Sequence, residues 1–207
     1  MATTLIQDDL GFEANYAICE TSAQQSTTFQ RYIFGWQRSE ARSGELQFET
    51  HTGEPLALEI YPAVGEQWVG IFRSGAGGLN GVFGTPSPDI VCVVSNGQGY
   101  WVTVSAPGEF VEIQSSPLLH VFAIPRCKLI GFVDFTEIEA YGPEGRLWIT
   151  ERLSWDGLQI IEATESGIRG RAWDSTANKH VEFVVDPHDG THVGGSSPES
   201  YMGKSQI

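Results

Sequence analysis

The chain has little cysteine and no cysteine motif. Its 207 residues include only three cysteines, and none of them forms a CxxC pair. An odd number of widely spaced cysteines disfavours both a disulfide framework and a zinc knuckle. Cys92 and Cys127 each lie in an apolar segment, so we expect buried, reduced thiols at both positions. A cytoplasmic location is the matching expectation.

Basic residues are also scarce. The sequence has 12 Lys and Arg residues against 26 Asp and Glu residues, and its formal net charge is −14. A negative surface repels nucleic-acid phosphates and anionic lipids, so we expect no nucleic-acid partner and no membrane partner. The same charge favours a basic protein or a small polar or cationic ligand, although solubility alone is a simpler explanation for scattered acidic residues.

Long apolar runs and helical periodicity are missing as well. No apolar run approaches the roughly 20 residues that a membrane-spanning helix needs. The segment Met1–Asp9 lacks the basic and apolar regions of a secretion signal, so none is expected. Apolar residues do not recur at i, i+3, i+4 and i+7 over any stretch long enough to predict a helix.

Short apolar runs separated by Gly, Pro and Asp turns are what the chain does contain. Glu45–Thr50 and Leu56–Tyr61 alternate apolar with polar residues, which predicts half-buried strands. Ile90–Val94 is apolar throughout and predicts a strand covered on both faces. Leu129–Tyr141 is predicted as one long strand.

These signals predict an all-β protein with a single, mainly antiparallel domain over residues 1–207, in which residues 1–40 are less regular. A barrel or a two-sheet sandwich is the first expectation. A small propeller-like array is the second, because Trp101-Val102-Thr103 and Trp148-Ile149-Thr150 repeat the same pattern after Gly-containing turns.

Four short motifs lie in the later part of the chain: Trp155-Asp156-Gly157, Ile168-Arg169-Gly170, Ala172-Trp173-Asp174 and Val193-Gly194-Gly195. Together they resemble motifs of uncharacterised β-rich bacterial proteins, over roughly the last two thirds of the chain. The resemblance implies a β-rich fold in a bacterial protein and brings no activity with it.

One segment has the composition of a metal site. Asp186–His192 contains two histidines four residues apart with carboxylates beside them, which are possible ligands for a transition metal. Pro187 and Gly190 favour a different interpretation, a hairpin turn in which Asp189 caps its own backbone. We expect the turn, with no metal and no cofactor.

Paired carboxylates are a second candidate for chemistry. Glu137 and Glu139 are two residues apart on a predicted strand and therefore share one face. Such a pair can perform acid–base chemistry when partly buried, or can simply form the solvent face of the strand. No GxSxG motif is present, so the sequence names no catalytic nucleophile.

Tryptophans are the stronger indication of binding. Six are present, and several stand beside turns. A tryptophan at a strand end offers a flat apolar face and one N–H donor to a ligand or partner. Trp101 and Trp155, with Asp156, join Glu137 and Glu139 as the candidate ligand- or partner-binding residues. The Asp156-Gly157 dipeptide also predicts the tip of a hairpin, and Trp155 is expected to be a core residue if it is not an anchor.

The sequence favours a non-catalytic binding or protein-interaction domain with an acidic surface that suits a basic partner. The alternative is an enzyme acting on a small polar or cationic substrate, with a pocket near the glycine-rich loop at residues 74–89. That loop lacks the Lys and Ser/Thr of a Walker A motif, so it is not predicted to bind phosphate.

Overall fold

A computed structural model describes residues 6–23, 28–35 and 53–197. Within these ranges the chain forms strands and one short 3₁₀ turn, Pro125–Cys127. The predicted all-β class is confirmed. The predicted strand at Glu45–Thr50 and the tryptophan at position 36 lie outside the described residues. No helix in the described part of the chain is long and apolar enough to cross a membrane.

The strands have the following bounds in chain order: β1 (Ile6–Asp8), β2 (Tyr16–Thr21), β3 (Gln30–Phe34), β4 (Leu56–Pro62), β5 (Trp68–Phe72), β6 (Gly81–Phe83), β7 (Ile90–Ser95), β8 (Gln98–Thr103), β9 (Phe110–Glu112), β10 (His120–Ile124), β11 (Leu129–Val133), β12 (Ile138–Gly142), β13 (Gly145–Ile149), β14 (Leu158–Thr164), β15 (Gly167–Asp174), β16 (Lys179–Val185) and β17 (His192–Gly194).

The described strands form four sheets. Sheet I has the order β2-β4-β5-β3, sheet II β1-β6-β7-β8-β9, sheet III β10-β11-β12-β13 and sheet IV β14-β15-β16-β17. Neighbouring strands are antiparallel except for the pairs β1–β6 and β3–β5. Sheets III and IV are simple meanders, since each strand pairs with the next one along the chain. Four small sheets agree with the second expectation, a small propeller-like array, rather than with a single barrel or a two-sheet sandwich.

Three apolar cores join these sheets in the series I–II, II–III and III–IV. The first contains Phe34 and Phe72, whose rings stack with centroids 4.5 Å apart. The second contains Trp101 and Phe132. In the third, Phe183 of sheet IV packs with residues of sheet III. Sheets II and III are therefore covered on both faces, which removes the usual exposed polar face of an antiparallel sheet.

Strand β7 shows why its sequence is apolar throughout. Val91 and Val93 belong to the core between sheets I and II, whereas Cys92 and Val94 belong to the core between sheets II and III. Successive side chains of a strand point to opposite faces, so both sets of positions must be apolar here. The prediction of a strand covered on both faces is confirmed.

The predicted single strand over residues 129–141 is wrong, because β11 and β12 are separate strands of one hairpin. The Oδ1 atom of Asp134 accepts the backbone N–H groups of Thr136 and Glu137 at 2.6 and 2.8 Å. This side chain organises the turn without the glycine or proline on which sequence-based turn prediction depends.

Two phenylalanines in the core between sheets III and IV lie over glycines of the adjacent strand. Phe122 is paired with Gly131, and Phe183 is paired with Gly170. A Cβ atom added at Gly131 would lie 2.2 Å from the Phe122 ring, and one at Gly170 would lie 2.3 Å from the Phe183 ring. Each glycine therefore provides the space that its partner's ring occupies.

Substitution of Gly131 by alanine should destabilise the protein, because the Phe122 ring must leave its position in the core. We expect Gly131→Ala to lower the free energy of unfolding by about 1–3 kcal/mol, the usual cost of overpacking. Gly108→Ala is the matched control, since a Cβ atom there meets nothing within 4 Å. Urea denaturation of both variants tests this, and equal stability of the two would contradict the packing described.

Candidate functional site

The five predicted site residues lie in two separate places. Trp101 on β8 and Glu139 on β12 both contact Tyr141, at the core between sheets II and III, and Glu137 lies immediately before β12. Trp155 and Asp156 lie in the connection from sheet III to sheet IV. The structure therefore brings Trp101 near Glu139 and leaves Trp155 and Asp156 apart from them.

Glu139 is fully buried, with 0% of its surface exposed. Its Oε2 atom accepts the Ser115 N–H at 2.9 Å, and its Oε1 atom accepts the Tyr141 hydroxyl at 3.2 Å. An Nη1 atom of Arg146 lies 3.4 Å from the same Oε1. The alternative that Glu139 forms part of a solvent face is wrong. A buried carboxylate requires such partners, since an unpaired charge would be strongly destabilising.

Strand alternation explains how Glu139 reaches this position. Ile138 and Ala140 point into the core between sheets III and IV. Tyr141 belongs to the opposite core, facing sheet II, and Glu139 shares its face because the two are separated by one residue. The Tyr141 ring lies against Trp101, with ring centroids 4.8 Å apart. An array of sheets thus buries both the apolar and the polar positions of β12.

Tyr141 stays a hydrogen-bond donor in this environment. Burial is the main cause that raises the pKa of its hydroxyl, and the Glu139 carboxylate raises it further through its charge and its hydrogen bond. The Arg146 guanidinium opposes this shift. Because the neutral phenol is favoured, Tyr141 holds the carboxylate of Glu139 in place.

Glu137 is half-buried and lies in the turn before β12, so it does not share the strand face of Glu139. Burial raises the pKa of Glu137, and the negative charges of Asp134 and Glu139 raise it further, whereas Arg152 lowers it. The two glutamates therefore interact electrostatically, although only Glu139 is held by the hydrogen bonds described above.

A cleft of about 720 Å³ opens beside these residues, between β9 and the turn from β12 to β13. Aromatic side chains, acidic side chains and one arginine surround it. The lining residues are Ile90, Trp101, Thr103, Glu109, Phe110, Val111, Glu112, Gln114, Tyr141, Pro143, Glu144, Gly145 and Arg146. Carboxylates beside an apolar surface are suited to binding a side chain with a cationic head and an apolar stem.

Arg146 is the one basic residue that lines this cleft. Its side chain is 43% exposed and ion-pairs with Glu139. The same Nη1 atom donates to the Oε1 atom of Gln114. The positive charge of Arg146 is thus directed at a buried carboxylate, while Glu109 and Glu144 are exposed at the rim. The charge that the cleft presents to an approaching ligand is therefore negative.

Trp155 is half-buried and lies outside the three cores, so its position is neither that of a core residue nor that of a fully exposed anchor. Its Nε1–H donates to the Ser196 Oγ at 3.3 Å. The predicted hairpin at Asp156-Gly157 is wrong, because β13 and β14 belong to different sheets. The backbone here pairs with β15 instead of forming a hairpin tip, because the Trp155 N–H donates to the Trp173 carbonyl and the Trp173 N–H donates to the Gly157 carbonyl. Asp156 is exposed in this connection.

Residues 186–191 form the turn between β16 and β17, and His192 is the first residue of β17. The Asp186 Oδ1 atom accepts the His188 N–H at 2.8 Å, and the Asp189 Oδ1 atom accepts the Thr191 N–H at 2.9 Å. The predicted self-capping turn is confirmed. The described residues contain no group of three or more His, Cys, Asp or Glu side chains arranged to hold a metal ion.

The glycine-rich loop packs against the turn between β7 and β8. Gly75 N–H donates to the Ser95 carbonyl and Gly77 N–H to the Asn96 carbonyl, while Gly97 N–H donates to the Leu79 carbonyl. A Cβ atom at Gly97 would lie 2.1 Å from the Gly77 carbonyl oxygen, so these backbones approach closely. The loop serves this packing and does not line the cleft between sheets II and III.

Comparisons with known proteins give one distant structural similarity. No family model matches the chain, and no curated protein matches it. The chain is similar to a solved structure described as the crystal structure of the N-terminal domain of Nup159, with 8% sequence identity and a TM-score of 0.39. The match covers 97% of this chain, which spans 56% of that one. This similarity gives no information about activity.

Loss of the Glu139 charge should cost stability. We expect Glu139→Gln to lower the free energy of unfolding by about 1.5–3 kcal/mol, because hydrogen bonds to a charged acceptor are stronger than those to a neutral amide. Glu144→Gln, an exposed position on the same hairpin, should change it by less than about 0.5 kcal/mol. Urea denaturation at pH 7 tests both variants. An unchanged free energy of unfolding in Glu139→Gln would show that the buried Glu139–Arg146 pair contributes nothing to stability.

Ionisation of Glu137 should lower the free energy of unfolding as the pH rises. Its pKa is raised on folding, so the native state holds the proton more tightly than the unfolded state. Stability is therefore lost as the pH rises from the ordinary glutamate pKa through the raised native value. We expect Glu137→Gln to be more stable than the parent at pH 7, and the difference to vanish at pH 4. A difference that does not depend on pH would contradict this assignment.

Proposed function

We propose that this protein is a non-catalytic binding domain that receives a basic protein segment in the cleft between β9 and the β12–β13 turn. The observation that carries the proposal is the composition of the cleft. Val111 supplies exposed apolar surface, the nearly buried Trp101 and Tyr141 also line the cleft, and Glu109 and Glu144 supply negative charge around it. A lysine or arginine side chain combines a cationic head with an apolar stem that such a surface can contact.

Long-range electrostatics support the same partner. The net charge of −14 raises the local concentration of cationic partners and repels polyanions such as nucleic acids. Scattered acidic residues attract a basic chain from any direction, and the cleft then gives it a defined place to bind. Complementary charge of this kind contributes mainly to association rate and specificity.

Binding rather than catalysis is favoured by the arrangement of Glu139 and Tyr141. The two side chains bond to each other, and Glu139 is also engaged by Ser115 and Arg146. A general acid or base must be able to reach the atom whose proton it transfers. In this geometry both groups support the wall of the cleft and present no free proton acceptor to it.

We also propose that this protein is bacterial and cytoplasmic. The three cysteines are free thiols, and Cys92 is fully buried. Free thiols are typical of proteins in a reducing compartment. Cys19 is exposed, and Cys127 is only half-buried, so the expectation of a buried thiol at Cys127 is wrong.

Binding of a basic peptide tests the proposal. The probe is an acetylated and amidated octapeptide with alternating Lys and Thr, titrated at low ionic strength by calorimetry. We expect the Glu109→Lys/Glu144→Lys double variant to bind at least about tenfold more weakly, a loss of about 1.4 kcal/mol.

Two controls distinguish binding in the cleft from attraction by net charge alone. Glu20→Lys/Glu54→Lys changes the net charge by the same amount at two exposed positions, Glu20 on β2 and Glu54 just before β4, and its affinity should stay within about twofold of the parent. An octapeptide with Glu in place of Lys should not bind. Equal loss in the two double variants would mean that net charge alone attracts the peptide and that the cleft is not its site.

A further inference from the structure

Strand β9 is an edge strand, and its whole length lines the cleft. Within the described residues it pairs with β8 alone. Its three residues, together with Glu109, form one continuous wall. An unpaired strand edge carries backbone N–H and C=O groups that are ready to pair with another extended chain.

The register shows which backbone groups point outward. Ile113 N–H donates to the Gly99 carbonyl, and Thr103 N–H donates to the Glu109 carbonyl. In an antiparallel pair, residues whose backbone N–H and C=O groups bond to the neighbouring strand alternate with residues whose groups point away from it. Val111 therefore bonds to β8, whereas the N–H and C=O groups of Phe110 and Glu112 face the free edge.

The side chains of β9 point to opposite faces of sheet II. Val111 is opposite Trp101, faces sheet III and is 54% exposed. Phe110 faces sheet I, where its ring contacts Phe34 with centroids 5.0 Å apart. This contact fixes the strand, while the exposed Val111 leaves apolar surface that a neighbouring strand would cover.

Charge determines which extended chain fits this edge. Protein edges exposed to solvent are often protected by lysine, which repels a second lysine-bearing strand. Here Glu109 stands at one end of the wall and Glu144 lines the cleft from the β12–β13 turn, whereas Glu112 stands at the other end with its side chain on the sheet I face. Two copies of this chain would bring like charges together, whereas a basic segment would meet opposite charges.

We infer that an extended basic segment of a partner protein adds to sheet II as a further strand along β9. Its main chain pairs with Phe110 and Glu112, and alternate basic side chains enter the cleft between sheets II and III. This inference rests on the proposed function and specifies how the partner is bound. Main-chain pairing supplies affinity, and the pocket for alternate side chains supplies specificity.

Amide hydrogen exchange tests strand addition directly. In the parent protein saturated with the Lys–Thr octapeptide, exchange of the Phe110 and Glu112 amides should slow by at least about tenfold, because both become hydrogen-bonded. The Val111 amide is already bonded to β8 and serves as the internal control, with little change expected.

Two methylated versions of the octapeptide provide a second measurement. One carries N-methyl groups on every Lys and the other on every Thr, so each blocks the hydrogen bonds of one edge of the peptide strand. We expect one version to bind at least about tenfold more weakly than the other, which corresponds to about 1.4 kcal/mol.

The outcomes separate the two proposals. If the octapeptide does not bind, both the proposed function and strand addition are wrong. If it binds in the cleft but the Phe110 and Glu112 amides gain no protection, or both methylated peptides bind equally, strand addition alone is overturned. Protection that grows with protein concentration in the absence of peptide would identify a second copy of this chain as the occupant, and would also overturn it.

Discussion

Sheets II and III are covered on both faces, and this covering determines which side chains of their strands are buried. Once a sheet lies inside an array, alternate positions of its strands no longer divide into a core face and a solvent face. In β7 both sets of positions are apolar and the strand fills two cores at once. In β12 one set is apolar and the other contains Glu139 and Tyr141, so a carboxylate is buried between two sheets.

The burial of Glu139 then determines the form of the cleft. Its hydrogen bond from the Ser115 N–H fixes the segment that leads from sheet II to sheet III, and its contact with Arg146 fixes β13. These two contacts hold the two walls of the cleft in place, namely β9 with the segment that follows it and the β12–β13 hairpin. The acidic residues of the rim are on the same two walls, so the polar contacts that join the sheets also arrange the negative surface that faces solvent.

Much of the fold was predictable from local sequence. The alternation in β4 and the continuous apolar run in β7 follow directly from strand geometry, and the Asp189 turn follows from the ability of aspartate to bond its own backbone. The long strand predicted through Asp134 failed because a side chain, rather than glycine or proline, makes that turn. The hairpin predicted at Asp156 failed because a chain that leaves one sheet for the next uses the same dipeptides as a hairpin tip.

The candidate site was only partly predictable for a related reason. Trp101 and Glu139 were identified as residues capable of binding, but their proximity depends on how sheets II and III pack, which local sequence does not determine. Glu139 has the sequence pattern of a residue on a solvent face, and only the covering sheet makes it a buried one. Tyr141 and Arg146 carried no signal of their own, because a tyrosine and an arginine on a strand are ordinary residues until a buried carboxylate lies between them.

Solution NMR of the tryptophan indole N–H signals, titrated with the basic octapeptide, shows whether a basic segment binds in the cleft. Trp101 lies at the base of the cleft, whereas Trp155 lies in the connection between sheets III and IV. We expect a saturable shift of the Trp101 indole signal and no shift of the Trp155 signal. A shift confined to Trp155, or binding that leaves the Trp101 signal unchanged, would contradict binding in the cleft.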